Sequence, residues 1–126
     1  MTVWNLENQL RFYFITDEGL TNPSPMKQAE TAVRAGAGMI QYRKKNVRLE
    51  DYDEIRAIRD MCRTCGVLFI INDDILLAKA VAADGVHVGQ EDASPALARA
   101  ILGSRSVVGV SVSTPAELDG TDLSVC

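Results

Sequence analysis

Apolar residues along the chain fall into two alternating rhythms. Runs of strand length occupy Phe12–Thr16, Met39–Tyr42, Val67–Ile71, Gly85–Val88 and Ser106–Val110, each bounded by Gly, Asn or Asp. Between them, apolar side chains recur at three- and four-residue spacing over Pro25–Ala35, Leu49–Cys65, Asp74–Ala83 and Ser94–Leu102, and a short helix is expected around Pro115–Leu118. Ser24 and Ser94 each stand before a first-turn proline, and Asp73 before the apolar run Ile75–Ala78, so all three are N-cap types in place. Gly36, Gly66 and Gly103 follow three of the helices, where a left-handed residue closes the last turn. The pattern predicts β-α-β-α-β-α-β-α-β. Strands separated by helices cannot be joined as hairpins, so they are expected to pair in parallel through right-handed crossovers. The expected class is α/β, with its chemistry in the loops that follow the strands.

Composition narrows the choice. The 126 residues are 47% apolar and 24% charged, with 4 Pro and 9 Gly, an ordinary mix for one domain with one core, expected to span 1–126. A net charge of −4 argues against a groove that neutralises a nucleic-acid backbone. No run of 18 apolar residues occurs, and Met1–Asn8 has neither a basic segment nor an apolar one, so no membrane partner and a cytoplasmic location are expected. Cys62 and Cys65 form a C-x-x-C, but a zinc site needs a second pair, and the chain has only Cys126 and His87 besides. Placed before Gly66 at a helix end, the pair is expected to be structural, since reactive pairs sit at helix N-termini.

The candidate chemistry lies at the strand ends. The second strand runs into Gln41-Tyr-Arg-Lys-Lys-Asn46, the third into Asn72-Asp-Asp74, the fourth into Gly89-Gln-Glu-Asp92 and the fifth into Ser111-Val-Ser113. Taken singly, each has a plain explanation: a strand-end Asp caps the next helix, and a cation run is a solvated face. Their coincidence at one rim points to phosphate chemistry with a metal. Asp73 and Asp92 follow neighbouring strands and supply the hard oxygens that Mg2+ takes when substrate phosphates complete its shell. Arg43 and Lys45 share a parity, one a planar fork and one a point charge for phosphate oxygens. Gln41 has the same parity, and with Asn72 it offers carboxamides suited to a heteroaromatic amine such as an aminopyrimidine. Ser111 is placed to donate to a phosphate.

No G-x-G-x-x-G, G-x-x-x-x-G-K-[ST] or G-x-S-x-G occurs. His87 lies inside a strand, where it is expected to pack rather than serve as a base. A metal-assisted displacement driven by leaving-group departure fits this inventory.

The segments Tyr13-Phe-Ile-Thr-Asp17, Gly38-Met-Ile-Gln-Tyr-Arg-Lys-Lys45, Ile70-Ile-Asn-Asp73, Ala83-Asp-Gly-Val-His-Val-Gly-Gln-Glu-Asp92 and Val108-Gly-Val-Ser111 resemble, in order and spacing, the thiamine-phosphate synthase family over residues 12–118. The resemblance implies a parallel (β/α) TIM-barrel enzyme that joins hydroxymethylpyrimidine diphosphate to hydroxyethylthiazole phosphate and releases diphosphate with Mg2+. It implies Gln41, Arg43, Lys45 and Asn72 on the pyrimidine diphosphate, Asp73 and Asp92 on the metal, and Ser111 near pyrimidine and phosphates. It also implies a dissociative order, in which diphosphate leaves before the thiazole nitrogen attacks.

Three departures qualify the resemblance. Lys44 stands where an acidic residue is common and is expected to add charge beside the phosphate site. Ser113 stands where many members carry histidine. The chain also holds about five of the eight βα units of a barrel, which needs at least about 200 residues. The sequence therefore reads as a partial barrel, with Gly120–Cys126 faintly resembling the start of a sixth strand. Its first and fifth strands are expected to be edges, which favours a homo-oligomer. A noncatalytic ligand-binding or interaction module is the second reading. An open flavodoxin-type sheet is the third, although it leaves Gln41–Lys45 without a role.

Overall fold

The computed structural model describes residues 5–19 and 23–126. The reading of the first residues as leaderless falls partly on Met1–Trp4, outside the described residues. By internal packing the chain divides into two units, Met1–Phe69 and Ile70–Cys126, with the boundary inside the third strand.

In the first unit, a short helix α1 (Leu6–Gln9) precedes β1 (Tyr13–Ile15), α2 (Pro25–Arg34), β2 (Met39–Tyr42), a 3₁₀ turn (Leu49–Asp51) and α3 (Tyr52–Cys65). β1 and β2 pair in parallel, with Tyr13 opposite Met39 and Ile15 opposite Gln41. All four residues of β2 are buried, the signature of a parallel strand covered on both faces. α2 buries Gln28, Ala29 and Ala32, and α3 buries Ile55, Ile58 and Cys62, so helical spacing turns one stripe of each helix inward. Ser24 caps α2 by accepting the Lys27 N–H, and α3 ends at left-handed Gly66 (φ +70). Cys62 is buried and Cys65 exposed, both free thiols.

α1 is the element that the apolar rhythm does not reveal. Four residues are too short for a period, and its role lies in one side chain: Gln9 Nε2 donates to the Gly38 carbonyl (3.1 Å) and the Gly66 carbonyl (3.0 Å). A Cβ on Gly38 would lie 2.6 Å from the Gln9 carbonyl oxygen, so only glycine permits this approach.

The second unit continues β3 (Leu68–Asn72) into α4 (Ile75–Ala80), β4 (Gly85–Val88), α5 (Pro95–Leu102), β5 (Val107–Val110), α6 (Pro115–Asp119) and a 3₁₀ turn (Leu123–Val125). β3 pairs with β4, and β4 with β5, all in parallel; Asn72 stands opposite His87, and His87 opposite Gly109. Val86, Val88, Ile75, Leu77, Ala78 and Ala98 form the buried centre.

Strand ends move by a residue in β1, β3 and β5, and Leu49–Asp51 opens the third helix as a 3₁₀ turn; two further differences each have a physical reason. α4 stops at Ala80, short of Ala83, because Ala82 turns left-handed (φ +52) with no glycine to announce it. Residues 123–125 form a 3₁₀ turn, with Asp122 accepting the Ser124 N–H, rather than the start of a sixth strand. The fold class is α/β, parallel strands alternating with helices in the TIM-barrel manner, with five strands among the described residues. No described helix is long and apolar enough to cross a membrane.

Candidate active site

In the first unit the site residues cluster where β1 and β2 end. Thr16, Asp17, Glu18, Gly19, Arg43 and Lys45 line a cleft of about 220 Å³. Arg43 and Lys45 both face it and both are exposed, as their shared parity requires. Their heads form no ion pair among the described residues. Their backbones, by contrast, are fixed. The Thr16 hydroxyl, 1% exposed, accepts the Arg43 N–H at 3.0 Å, and Glu18 Oε2 accepts the Lys45 N–H at 2.7 Å. The loop carrying these acceptors is tied in turn by Gln28 on α2, which accepts the Asp17 N–H (2.8 Å) and donates to the Asp17 carbonyl (3.0 Å).

Gln41 is buried at the head of this cluster, and its Nε2 donates to the Tyr13 hydroxyl at 2.8 Å. That bond ties the carboxamide to β1. Burial raises the Tyr13 pKa, an effect the Gln41 bond partly offsets, so the phenol stays protonated at neutral pH.

Lys44 does not act as expected. Its side chain leaves in the opposite direction and pairs with Asp51 at 2.8 Å, so its charge is met locally instead of adding to the phosphate cluster. The Lys44 hydrogen bond, with the Arg48 N–H second, lowers the Asp51 pKa.

In the second unit Asn72 closes β3 and is half-buried. Asp73 is not the cap of α4; that is Asp74, whose carboxylate accepts the Leu77 N–H at 2.9 Å. Asp73 instead sits at φ +64 in a tight turn closed by the Asp74 N–H on the Asn72 carbonyl (2.8 Å), the geometry of a γ-turn. Backbone strain of this kind, of order 1–3 kcal/mol, is characteristic of functional loops. The strand end is also pinned by the Asp73 N–H on the His87 carbonyl (2.8 Å).

Asp92 closes a turn by accepting the Gly89 N–H on Oδ2 at 2.7 Å, and it lines a cleft of about 290 Å³ with Gly89, Gln90 and Ser94. Its Oδ1 takes no hydrogen bond and no ion pair among the described residues, so a hard oxygen is held in a fixed direction. This fits a Mg2+ ligand. Among the described residues no three His, Cys, Asp or Glu gather into a group that could hold a metal ion.

Ser111 is exposed just beyond β5. Its Oγ lies 2.7 Å from His87 Nε2, its carbonyl accepts from Gln90 Nε2 (2.9 Å), and its N–H donates to the Val88 carbonyl (2.9 Å). His87 is half-buried on β4, and burial lowers its pKa.

Thr16, Glu18, Gln28, Tyr13, His87 and Gln90 hydrogen-bond to the candidate residues or their loops without having been assigned a site role. Tyr13, Thr16 and Gln90 stand in the quoted strand-end and family segments, and Gln28 carries a signal as a polar residue on the apolar stripe of α2.

A family model described as thiamine monophosphate synthase matches residues 12–123. The chain belongs to that family. It is 44% identical over 100 residues to the thiamine-phosphate synthase of Azoarcus sp. strain BH72, an alignment covering 79% of this chain and 48% of that protein. It is 36% identical over 117 residues to the thiamine-phosphate synthase of Bacillus velezensis, covering 90% and 52%. The solved thiamine phosphate pyrophosphorylase of Pyrococcus furiosus superposes with a TM-score of 0.79 at 35% identity, covering 94% of this chain and 60% of that one. The chain thus spans about half the length of the curated relatives it matches. The family segments quoted from the sequence all lie within the matched residues.

Proposed function

We propose that this chain carries the pyrimidine-diphosphate and metal side of a thiamine-phosphate synthase, the transferase of thiamine biosynthesis that joins hydroxymethylpyrimidine diphosphate to hydroxyethylthiazole phosphate. The observation that carries this reading is the pair Arg43 and Lys45, with backbones hydrogen-bonded in place and heads free of acidic partners among the described residues. Such a pair is prepared for an anion, because its positive charge is already positioned before the ligand arrives.

In this reading Arg43 grips phosphate oxygens as a fork, Lys45 opposes the charge that builds on the departing diphosphate, and Ser111 donates to a phosphate oxygen. Gln41, oriented by Tyr13, and Asn72 meet the pyrimidine nitrogens. Asp73 and Asp92 hold Mg2+, which when bound neutralises diphosphate charge and eases its departure. The carbon–oxygen bond breaks with its electron pair leaving on diphosphate, and the thiazole nitrogen then forms the new bond to the pyrimidine methylene carbon. No general base is needed, in keeping with the absence of any histidine besides His87. We place the protein in the cytoplasm. We further propose a homo-oligomer, because β1 and β5 each have one strand partner among the described residues and Ile15 on β1 is 47% exposed.

Isothermal titration with hydroxymethylpyrimidine diphosphate tests the ligand set. Binding is expected to strengthen with Mg2+, and Asp92→Asn to abolish the Mg2+ effect while leaving weak binding at Arg43 and Lys45. Absence of binding by the unaltered chain sinks the proposal. A coupled assay for thiamine phosphate separates turnover from a module that only binds, and sedimentation showing a monomer sinks the oligomer.

A further inference from the structure

One residue past the last paired position of β1, the Thr16 N–H donates to the Gln41 carbonyl at 2.9 Å. Beyond it, both backbone groups of Asp17 are met by a single side chain from α2. Gln28 Oε1 accepts the Asp17 N–H at 2.8 Å, and Nε2 donates to the Asp17 carbonyl at 3.0 Å. The second Nε2 proton goes to the Pro23 carbonyl, also at 3.0 Å. Three backbone partners fix which end of this amide is which, because turning it over would set N–H against N–H and oxygen against two carbonyl oxygens.

Gln28 is 5% exposed, on a stripe it shares with Ala29 and Ala32. An amide buried there costs free energy unless its polar atoms are paired, and an apolar residue would fill the stripe without that requirement. What the amide supplies is position. The loop it holds contributes Thr16, Asp17, Glu18 and Gly19 to the cleft that Arg43 and Lys45 complete, whereas Gln28 lines no part of that cleft. Asp17 Oδ1 tightens the same turn by accepting the Gly19 N–H at 2.8 Å. Glu18, next in the chain to the clamped Asp17, reaches across to the Lys45 N–H at 2.7 Å.

We infer that Gln28 is the positioning residue of the phosphate cleft: by clamping Asp17 and Pro23 it fixes where Glu18 stands, and through Glu18 where the Lys45 backbone stands. This rests on the reading of Lys45 as a diphosphate ligand. The dependence runs one way, from α2 to the loop after β1 to the end of β2, since the bonds that hold Asp17 do not involve the Glu18 side chain. Only a carboxamide serves. Methionine has the length and none of the bonds, and a carboxylate would keep the Asp17 N–H while setting bare oxygen against two carbonyls.

Binding of inorganic diphosphate with Mg2+ is measured by isothermal titration. Gln28→Met is expected to weaken it roughly three- to tenfold, as is Glu18→Ala. The double variant should bind no more weakly than the weaker single one, because both substitutions break the same link. Losses that multiply overturn the inference, as does Gln28→Met binding like the unaltered chain. Amide hydrogen exchange separates positioning from general destabilisation. In Gln28→Met the Asp17 and Lys45 amides should exchange about tenfold faster, while that of Leu68, bonded to the Gly38 carbonyl, keeps its rate. Equal acceleration at all three, or none at Lys45, overturns the inference. Glu18→Ala should speed exchange at Lys45 and leave Asp17 protected. Loss of protection at Asp17 in that variant means the loop is held from the β2 side and overturns the inference, a result readable even where Gln28→Met does not fold. Should the unaltered chain bind no diphosphate, the proposed function fails, and the exchange rates still decide the role of Gln28.

Discussion

Glu18 Oε2 accepts the Lys45 backbone N–H at 2.7 Å, so an acidic side chain from the loop after β1 sets the position of a basic residue after β2 without neutralising its head. Thr16 does the same for Arg43 two residues earlier. On the proposed function, Glu18→Ala is expected to weaken pyrimidine-diphosphate binding roughly three- to tenfold, the range for losing one partly exposed charged hydrogen bond. Glu18→Gln keeps an acceptor and should bind nearly as the unaltered chain does. If Glu18→Gln and Glu18→Ala bind equally well, the contact does not organise the cations.

Tyr42 is 1% exposed, and its hydroxyl has no hydrogen-bond partner. Burial, reinforced by the charges of Asp51, Glu54 and Glu18, pushes its pKa far upward, so the phenol stays neutral. A buried hydroxyl without a partner costs about 1–3 kcal/mol in desolvation. Tyr42→Phe should therefore leave the thermal midpoint unchanged or raise it. A lowered midpoint would show that the hydroxyl is hydrogen-bonded in solution.

Gly85 stands opposite Val107, and a Cβ added there would overlap the Val107 carbonyl oxygen, a backbone atom that cannot move aside. Gly85→Ala should separate β4 from β5 locally and cost at least the roughly 1–3 kcal/mol of an overpacked core. Urea denaturation measures this. Gly120→Ala, where the nearest atom is 3.4 Å away, is the mild control.

The Lys44–Asp51 pair gives an acid-sensitive contribution of definite sign. The Lys44 hydrogen bond lowers the Asp51 pKa in the folded chain, so the unfolded chain binds its proton first. The stabilisation is complete above the ordinary carboxylate range and is lost as the pH falls through the lowered folded value. Asp51→Asn should reduce the urea midpoint at pH 7, and the two proteins should converge as the pH falls through the lowered folded value. A difference independent of pH would assign the effect to packing.

Strand and helix periods made most of the fold legible, because each parallel strand must be apolar on both faces and each helix on one. Met39–Tyr42, Gly85–Val88 and the caps Ser24 and Ser94 stand where the pattern puts them. α1 escaped because its reason for existing is Gln9, whose partners are carbonyls far along the chain. The candidate ligands were legible as residue types at strand ends. The roles of their supports were not: Glu18, Gln28 and Gln90 act through backbone groups of other segments, and even Gln28, conspicuous on an apolar stripe, does not name its partner from spacing. Asp73 and Asp74 illustrate the limit. Either is a good cap on residue type, and only the left-handed turn at Asp73 gives the role to its neighbour.

That turn also sets what this position costs its own chain. Glycine would hold φ +64 with little strain, so an aspartate here costs stability that a glycine would not. Under laboratory selection for heat resistance alone, Asp73→Gly should be among the early substitutions to accumulate; under selection for growth without supplied thiamine, which the proposed function would make depend on this chain, it should be purged. Opposite evolutionary drift under the two regimes would mark the aspartate as a residue kept for its carboxylate and merely tolerated by the fold.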